Sequence, residues 1–101
     1  MDEIERLPDF AGFQWDKGSI NKNLARHNVQ DWECEQVFLN EPLIILDDPS
    51  HSIVEKRSAA FGQTDAGRLL AVIFTRRGES LRVISARDMN RKERKFYEEN
   101  Q

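Results

Sequence analysis

The residues equipped for chemistry gather in the second half of the chain: Glu55 and Arg57, then Arg82 and Arg87, then the run Arg91-Lys92-Glu93-Arg94-Lys95. An arginine held still by a rigid backbone grips a phosphate through two parallel N–H bonds, and a cationic helix follows a polyanion's backbone. The set suits a phosphodiester, and RNA is the substrate class it suggests. Glu55 and Arg57 stand two residues apart, which in a strand puts both on one face, beside Ile53, Ala59 and Phe61. Such a pair is either a structural ion pair at a sheet rim or a carboxylate and a guanidinium beside a reacting phosphate. Arg82 reaches the same surface if its strand is the neighbour. Arg87 has the opposite parity and points away from Arg82 unless the strand ends or bulges near Ala86, so it is placed at the sheet-to-helix junction as a phosphate contact.

His27 is either a satisfied core or capping histidine or a proton shuttle of the kind used in metal-free RNA cleavage. Arg91, Arg94 and Lys95 form a cationic stripe that either tracks RNA or stays solvated. Trp15 and Trp32 fit a core better than a base-stacking platform, although Trp15 is kept as a candidate RNA contact.

The elements that must position these groups follow from pattern. Residues 1–9 are polar and acidic with Pro8, and read as a frayed leader. Residues 10–15 make a first strand. Asp16 caps a helix running to about His27, with Ile20, Leu24 and His27 on one stripe and Asn28 in the left-handed position that ends it. A second helix over 31–39 buries Val37 and Phe38 and stops before Asn40-Glu41-Pro42. Strands are predicted over 43–46, 53–61, 69–76 and 81–86, with Gly62, Gly67 and Gly78 at the joins. Asn90, with Glu93 three residues on, is a capping box for a last helix that turns Phe96 and Tyr97 inward. The order strand, two helices, four strands, helix predicts one α+β domain over 1–101, an antiparallel sheet packed on helices.

At 101 residues and 39% hydrophobic content, one domain is all the chain accommodates. No long apolar run or cleavable leader is evident, so a cytoplasmic protein is expected. Cys34 is the single cysteine and there are two histidines, so neither an internal disulfide nor a zinc site can be composed, and no cofactor is expected. Cys34 falls in the buried pattern Cys34/Val37/Phe38, which argues against a nucleophile. The net charge of −3 conceals a split. Residues 1–50 hold four basic and eleven acidic side chains, and residues 51–101 hold eleven basic and seven acidic ones. One end of the chain thus suits a polyanion and the other a basic partner or solvent.

Phe13-Gln14-Trp15-Asp16-Lys17, Asn23, Arg26-His27-Asn28-Val29, Val37-Phe38, His51-Ser52 with Glu55 and Arg57, Gly62, Gly67-Arg68-Leu69-Leu70, Val83-Ile84-Ser85-Ala86-Arg87 and Glu93 with Tyr97 form an ordered set. It resembles the BrnT-type toxins of bacterial type II toxin-antitoxin modules, over nearly the whole chain from Phe13 onward. The resemblance implies a RelE-like α+β fold and a ribonuclease activity without a cofactor. It also implies neutralisation by a cognate DNA-binding, BrnA-like antitoxin, and repression by the pair of their own operator DNA. Where the family commonly has Lys-His-Gly this chain has Arg26-His27-Asn28; asparagine tolerates the left-handed backbone, but Arg26 does not replace lysine as a base.

With RNA across the Glu55/Arg57/Arg82 surface, Glu55 or His27 is the base for the 2′-hydroxyl, Arg57 and Arg82 clamp the phosphorane charge, and Lys17 or His27 protonates the leaving 5′-oxygen. The rival expectation is a non-catalytic co-repressor subunit whose acidic half docks a basic DNA-binding partner.

Overall fold

The computed structural model describes residues 12–15, 27–47 and 56–100. The leader, most of the helix expected over 16–27, and both Lys17 and Glu55 lie outside the described residues.

Five strands form one sheet: β1 (Gly12–Gln14), β2 (Ile44–Asp47), β3 (Ser58–Gln63), β4 (Leu69–Arg77) and β5 (Ser80–Asp88), in the spatial order β1-β5-β4-β3-β2. From β2 to β5 the chain is an antiparallel meander, with Ile44 opposite Phe61, Phe61 opposite Ala71 and Ala71 opposite Arg87. The expectation of a wholly antiparallel sheet needs one correction. β1 joins the free edge of β5 in parallel, Gly12 opposite Ser80 and Gln14 opposite Arg82. Hairpin neighbours are antiparallel by necessity, whereas β1 meets β5 from far away in sequence and is under no such constraint.

Helix α1 (Asp31–Leu39) covers one face of the sheet and α2 (Arg91–Glu99) part of the other. On the α1 side, Cys34, Val37 and Phe38 pack on Ile45, Ala60, Leu70, Val72, Phe74, Leu81 and Val83. On the α2 side, Tyr97 packs with Ile44, Phe61, Ala71 and Met89, and Phe96 lies edge-on to Phe61. A strand buried on both faces reads as a continuous apolar run rather than an alternation, which is the character of Leu69–Phe74 in β4.

Local chemistry sets the ends of the helices. Asn90 accepts from the Glu93 N–H at 2.8 Å and its own N–H donates to Glu93 Oε1 at 2.9 Å, the capping box read from the sequence. In α1 the Gln30 N–H donates to Glu33 Oε1 at 3.0 Å. Asn28 takes φ 54°, the left-handed conformation anticipated there. Gly67 and Gly78 sit in turns at positive φ, but Gly62 lies inside β3 rather than at a join. Its reason is space: a Cβ there would meet Val37 Cγ1 at 2.9 Å and the Val37 carbonyl oxygen at 3.2 Å, so the missing side chain lets α1 approach the sheet. Among the described residues, no helix is long and apolar enough to cross a membrane.

Candidate functional site

The nine residues of α2 cover only one end of their sheet face, and the remainder opens as a cleft of about 520 Å³. Its floor is Ala59, Phe61, Ala71, Ile73, Ile84 and Ser85; its walls carry Asp47, Arg57, Arg87 and Glu93.

A β-bulge decides which arginines face this cleft. Ile73 pairs with Ser85, yet the next residue, Phe74, pairs with Val83, leaving Ile84 as an extra residue in β5. In a regular strand Leu81 and Ala86 would face opposite ways; here both are in the α1-side core with Val83. The inserted residue shifts the alternation by one, so Arg82 and Arg87, of opposite parity in sequence, come to the same face of the sheet. Arg82 is opposite Thr75, and Arg57 stands one residue before the Ser58–Phe74 pair, on the parity of Ala59 and Phe61. Arg57 and Arg82 therefore flank Thr75 across one row of the sheet, their backbones two strand spacings apart, about 10 Å. The Thr75 hydroxyl fastens this row by donating to the Lys56 carbonyl at 2.9 Å.

At the opposite end of the cleft Arg87 and Glu93 meet side by side, Nη1 to Oε1 at 2.6 Å and Nη2 to Oε2 at 2.9 Å. The guanidinium holds the Glu93 carboxyl below the usual carboxylate range, and Glu93 in turn raises Arg87. Because Glu93 Oε1 also accepts from the Asn90 N–H, one carboxylate caps α2 and fixes the arginine at the cleft wall. Lys56 and Asp47 form an exposed pair at 3.4 Å on the rim.

Of the residues singled out from the sequence, Arg57 and Arg87 line the cleft and Arg82 lies on the same sheet face. Arg57 precedes β3 instead of lying inside it, since the strand begins at Ser58. Arg91, Arg94 and Lys95 are exposed along α2, and Arg94 Nη1 donates to the Met89 carbonyl at 3.0 Å. His27 is exposed and does not line the cleft; its carbonyl accepts from Arg68 at 3.1 Å. Trp15 packs against the α1-side core and its indole N–H donates to Glu35 at 3.1 Å, on the far layer from the cleft. Burial, reinforced by Glu33, Asp31 and Glu35, pushes the Cys34 thiol up to about 12, in keeping with a packing role.

Two residues have roles that sequence pattern does not show. The spacing of Glu93 from Asn90 marks it as a helix cap, but its second role, gripping Arg87 six residues away, has no signature in helical or strand periodicity. Arg68 belongs to the resemblance set with no role implied, yet it joins three segments. Its guanidinium donates to the carbonyls of His27 and Asn28, to Glu33 of α1 at 3.2 Å, and to Asp88 at the end of β5 at 2.7 Å. Asp88 is held below the usual carboxylate range by it.

Fold and site together describe a small three-layer α+β protein with an arginine-walled cleft on the half-covered face of a mixed sheet. A family model described as the ribonuclease toxin BrnT of type II toxin-antitoxin systems matches residues 15–93. The chain belongs to this BrnT toxin family. Among solved structures, the 1.1 Å crystal structure of the Brucella abortus ribonuclease toxin BrnT is similar, with 28% sequence identity and a TM-score of 0.58 over 79% of this chain and 97% of that one. No curated protein matches the sequence.

Proposed function

We propose that the chain is an endoribonuclease toxin that cleaves RNA on the half-covered face of its sheet, with a RelE-like arrangement and no metal. The observation that carries this reading is the convergence of Arg57, Arg82 and Arg87 on one face, through a bulge, beside the cationic surface of α2. Family membership supports the toxin role and the class of reaction.

In the proposed reaction the RNA backbone enters between the Arg57/Arg82 row and α2, with Arg91, Arg94 and Lys95 along its path. Glu55 is the base that takes the proton of the 2′-hydroxyl as that oxygen attacks phosphorus; His27, which does not line the cleft, is left out of the step. Arg57 and Arg82 stabilise the extra negative charge of the phosphorane, and the 5′-oxygen leaves with a proton from Lys17. The products are a 2′,3′-cyclic phosphate and a 5′-hydroxyl. The cations supply the charge stabilisation that a metal provides in other nucleases. Trp15, on the other layer, would serve only RNA that wraps past the edge of β1.

The same reading makes the protein cytoplasmic, neutralised by a BrnA-like DNA-binding antitoxin, and, as a complex, bound to operator DNA. The rival, a non-catalytic co-repressor subunit, draws on the way Arg87 is already occupied by Glu93.

The test is incubation of the wild-type chain and its Arg82→Ala variant with naked RNA in excess EDTA, both checked for folding by circular dichroism. Cleavage by wild type alone, leaving 2′,3′-cyclic phosphate ends, is the expected result. Plain 3′-hydroxyl ends would overturn the chemistry, and equal cleavage by both proteins would overturn the site.

A further inference from the structure

Helix α1 is apolar on two sides. Val37, Cys34 and Phe38 face the sheet, whereas Trp32 and Leu39, seven residues apart and hence on one stripe, face away from it at 55% and 71% exposure. Gln36 lies between them. Among the described residues these are the large hydrophobic side chains left exposed, and they share a single helix face.

The surroundings of the stripe are acidic. Asp31 and Glu35 flank it on one side by helical position. On the other side Asp65 donates its N–H to Gln36 at 2.9 Å and accepts from Asn40 at 2.8 Å, and Glu41 follows, exposed. Residues 27–47 contain no lysine or arginine. Arg68, which reaches α1 from the residue just ahead of β4, is matched there by Glu33 and Asp88. On the opposite layer α2 carries Arg91, Lys92, Arg94 and Lys95. The sheet therefore separates an apolar, acid-rimmed face from a cationic one.

We infer that the Trp32/Leu39 face of α1 is the docking surface for a basic amphipathic segment of the antitoxin, placed on the layer opposite the cleft. This rests on the toxin reading above, which supplies the partner; the surface supplies its chemistry. An apolar ridge of the partner covers Trp32 and Leu39, and lysines or arginines beside that ridge meet Asp31, Glu35, Glu41 and Asp65. Partners that bind polyanionic DNA carry such cations, so the same protein satisfies both demands. A second copy of this chain fits worse. Two α1 faces brought together would oppose acid to acid, and α2 offers no exposed large hydrophobic side chain to meet Trp32 and Leu39.

The experiment co-expresses the full chain with the antitoxin encoded in its own operon, and measures binding of purified wild type, Trp32→Ser and Leu39→Glu by calorimetry at two salt concentrations. Thermal unfolding, RNA cleavage and mass by light scattering are recorded in parallel. The expected result is tight, salt-weakened binding by wild type and a loss of about 30-fold or more in each variant, with folding and cleavage unchanged. Asp31→Lys should weaken binding less and flatten its salt dependence. Unchanged affinity in both apolar variants, with wild type bound, would overturn the docking surface and leave the toxin reading intact. A wild-type dimer that Leu39→Glu dissociates would overturn it in favour of self-association. Cleavage by wild type with no binding to the operon partner would remove this partner while sparing the nuclease, and absence of both would remove the toxin reading itself.

Discussion

Arg87 of β5 and Glu93 of α2 are joined through the two terminal guanidinium nitrogens and both carboxylate oxygens, at 2.6 and 2.9 Å, so the sheet and its cap helix are fastened at the wall of the cleft. The same device recurs on the other layer, where Glu33 caps α1 and grips Arg68. In each case the third residue of a helix satisfies an orphan backbone N–H and anchors an arginine, one at the end of β5 and one just ahead of β4.

Replacing Glu93 with Gln should therefore act on stability and site together. The loss of charge-assisted bonding is expected to cost about 1 kcal/mol, discounted because the guanidinium is partly exposed to solvent. Chemical unfolding would measure that cost. A freed Arg87 should bind an RNA backbone more readily, so the KM for an RNA substrate falls or holds; a rise in KM would show that Arg87 acts only through its pair.

The pH dependence follows from two carboxylates. Glu93 is held below its ordinary 4.5 first by its hydrogen bonds to Arg87, and Asp88 below its ordinary 3.8 first by those to Arg68. A depressed folded pKa contributes stability that is fully present above the unfolded value and disappears as pH falls through the folded one. The urea midpoint should hold near neutrality and drop as the pH falls below about 4.5. In Glu93→Gln with Asp88→Asn the drop should be shallower.

Arg57→Lys separates charge from geometry at the cleft. If two parallel N–H bonds hold the phosphate, lysine cannot replace them and cleavage should fall by nearly as much as in Arg57→Ala, about 10² to 10³-fold. Full activity in the lysine variant would reduce Arg57 to a point charge. Thermal transitions close to wild type are expected in both, because Arg57 lies outside β3 on the cleft wall.

Gly62→Ala probes the approach of α1 to the sheet. The new methyl would press on the Val37 side chain and carbonyl, and overpacking of this kind costs about 1 to 3 kcal/mol. A stability loss with cleavage retained per folded molecule is the expected outcome by thermal unfolding and RNA digestion. An unchanged midpoint would mean that α1 shifts away without penalty.

Tyr97→Phe removes the hydroxyl that donates to the Pro42 carbonyl at 2.5 Å from a fully buried ring. The bond and the stranded carbonyl together are expected to cost about 1 to 2 kcal/mol in chemical unfolding, against about 3 to 5 kcal/mol for Tyr97→Ala, which also leaves a cavity.

Much of this was determined by local sequence. The apolar run Leu69–Phe74, the Asn90/Glu93 box, the left-handed Asn28 and the buried Val37/Phe38 pair are short-range choices set by burial period and backbone sterics, and each holds in the structure. The arrangement of the site was not local. Periodicity leaves the side of Arg87 open, away from Arg82 in a regular strand and with it in a bulged one, and the extra residue Ile84, which decides the matter, shows itself only in the pairing of β5 with β4. The parallel edge contact of β1, the Arg87–Glu93 pair and the reach of Arg68 to three segments likewise depend on contacts between residues distant in sequence or across elements. Such contacts exist only once the chain has closed on itself, which is why the pattern of the sequence shows which residues can do chemistry and the tertiary structure decides which of them meet.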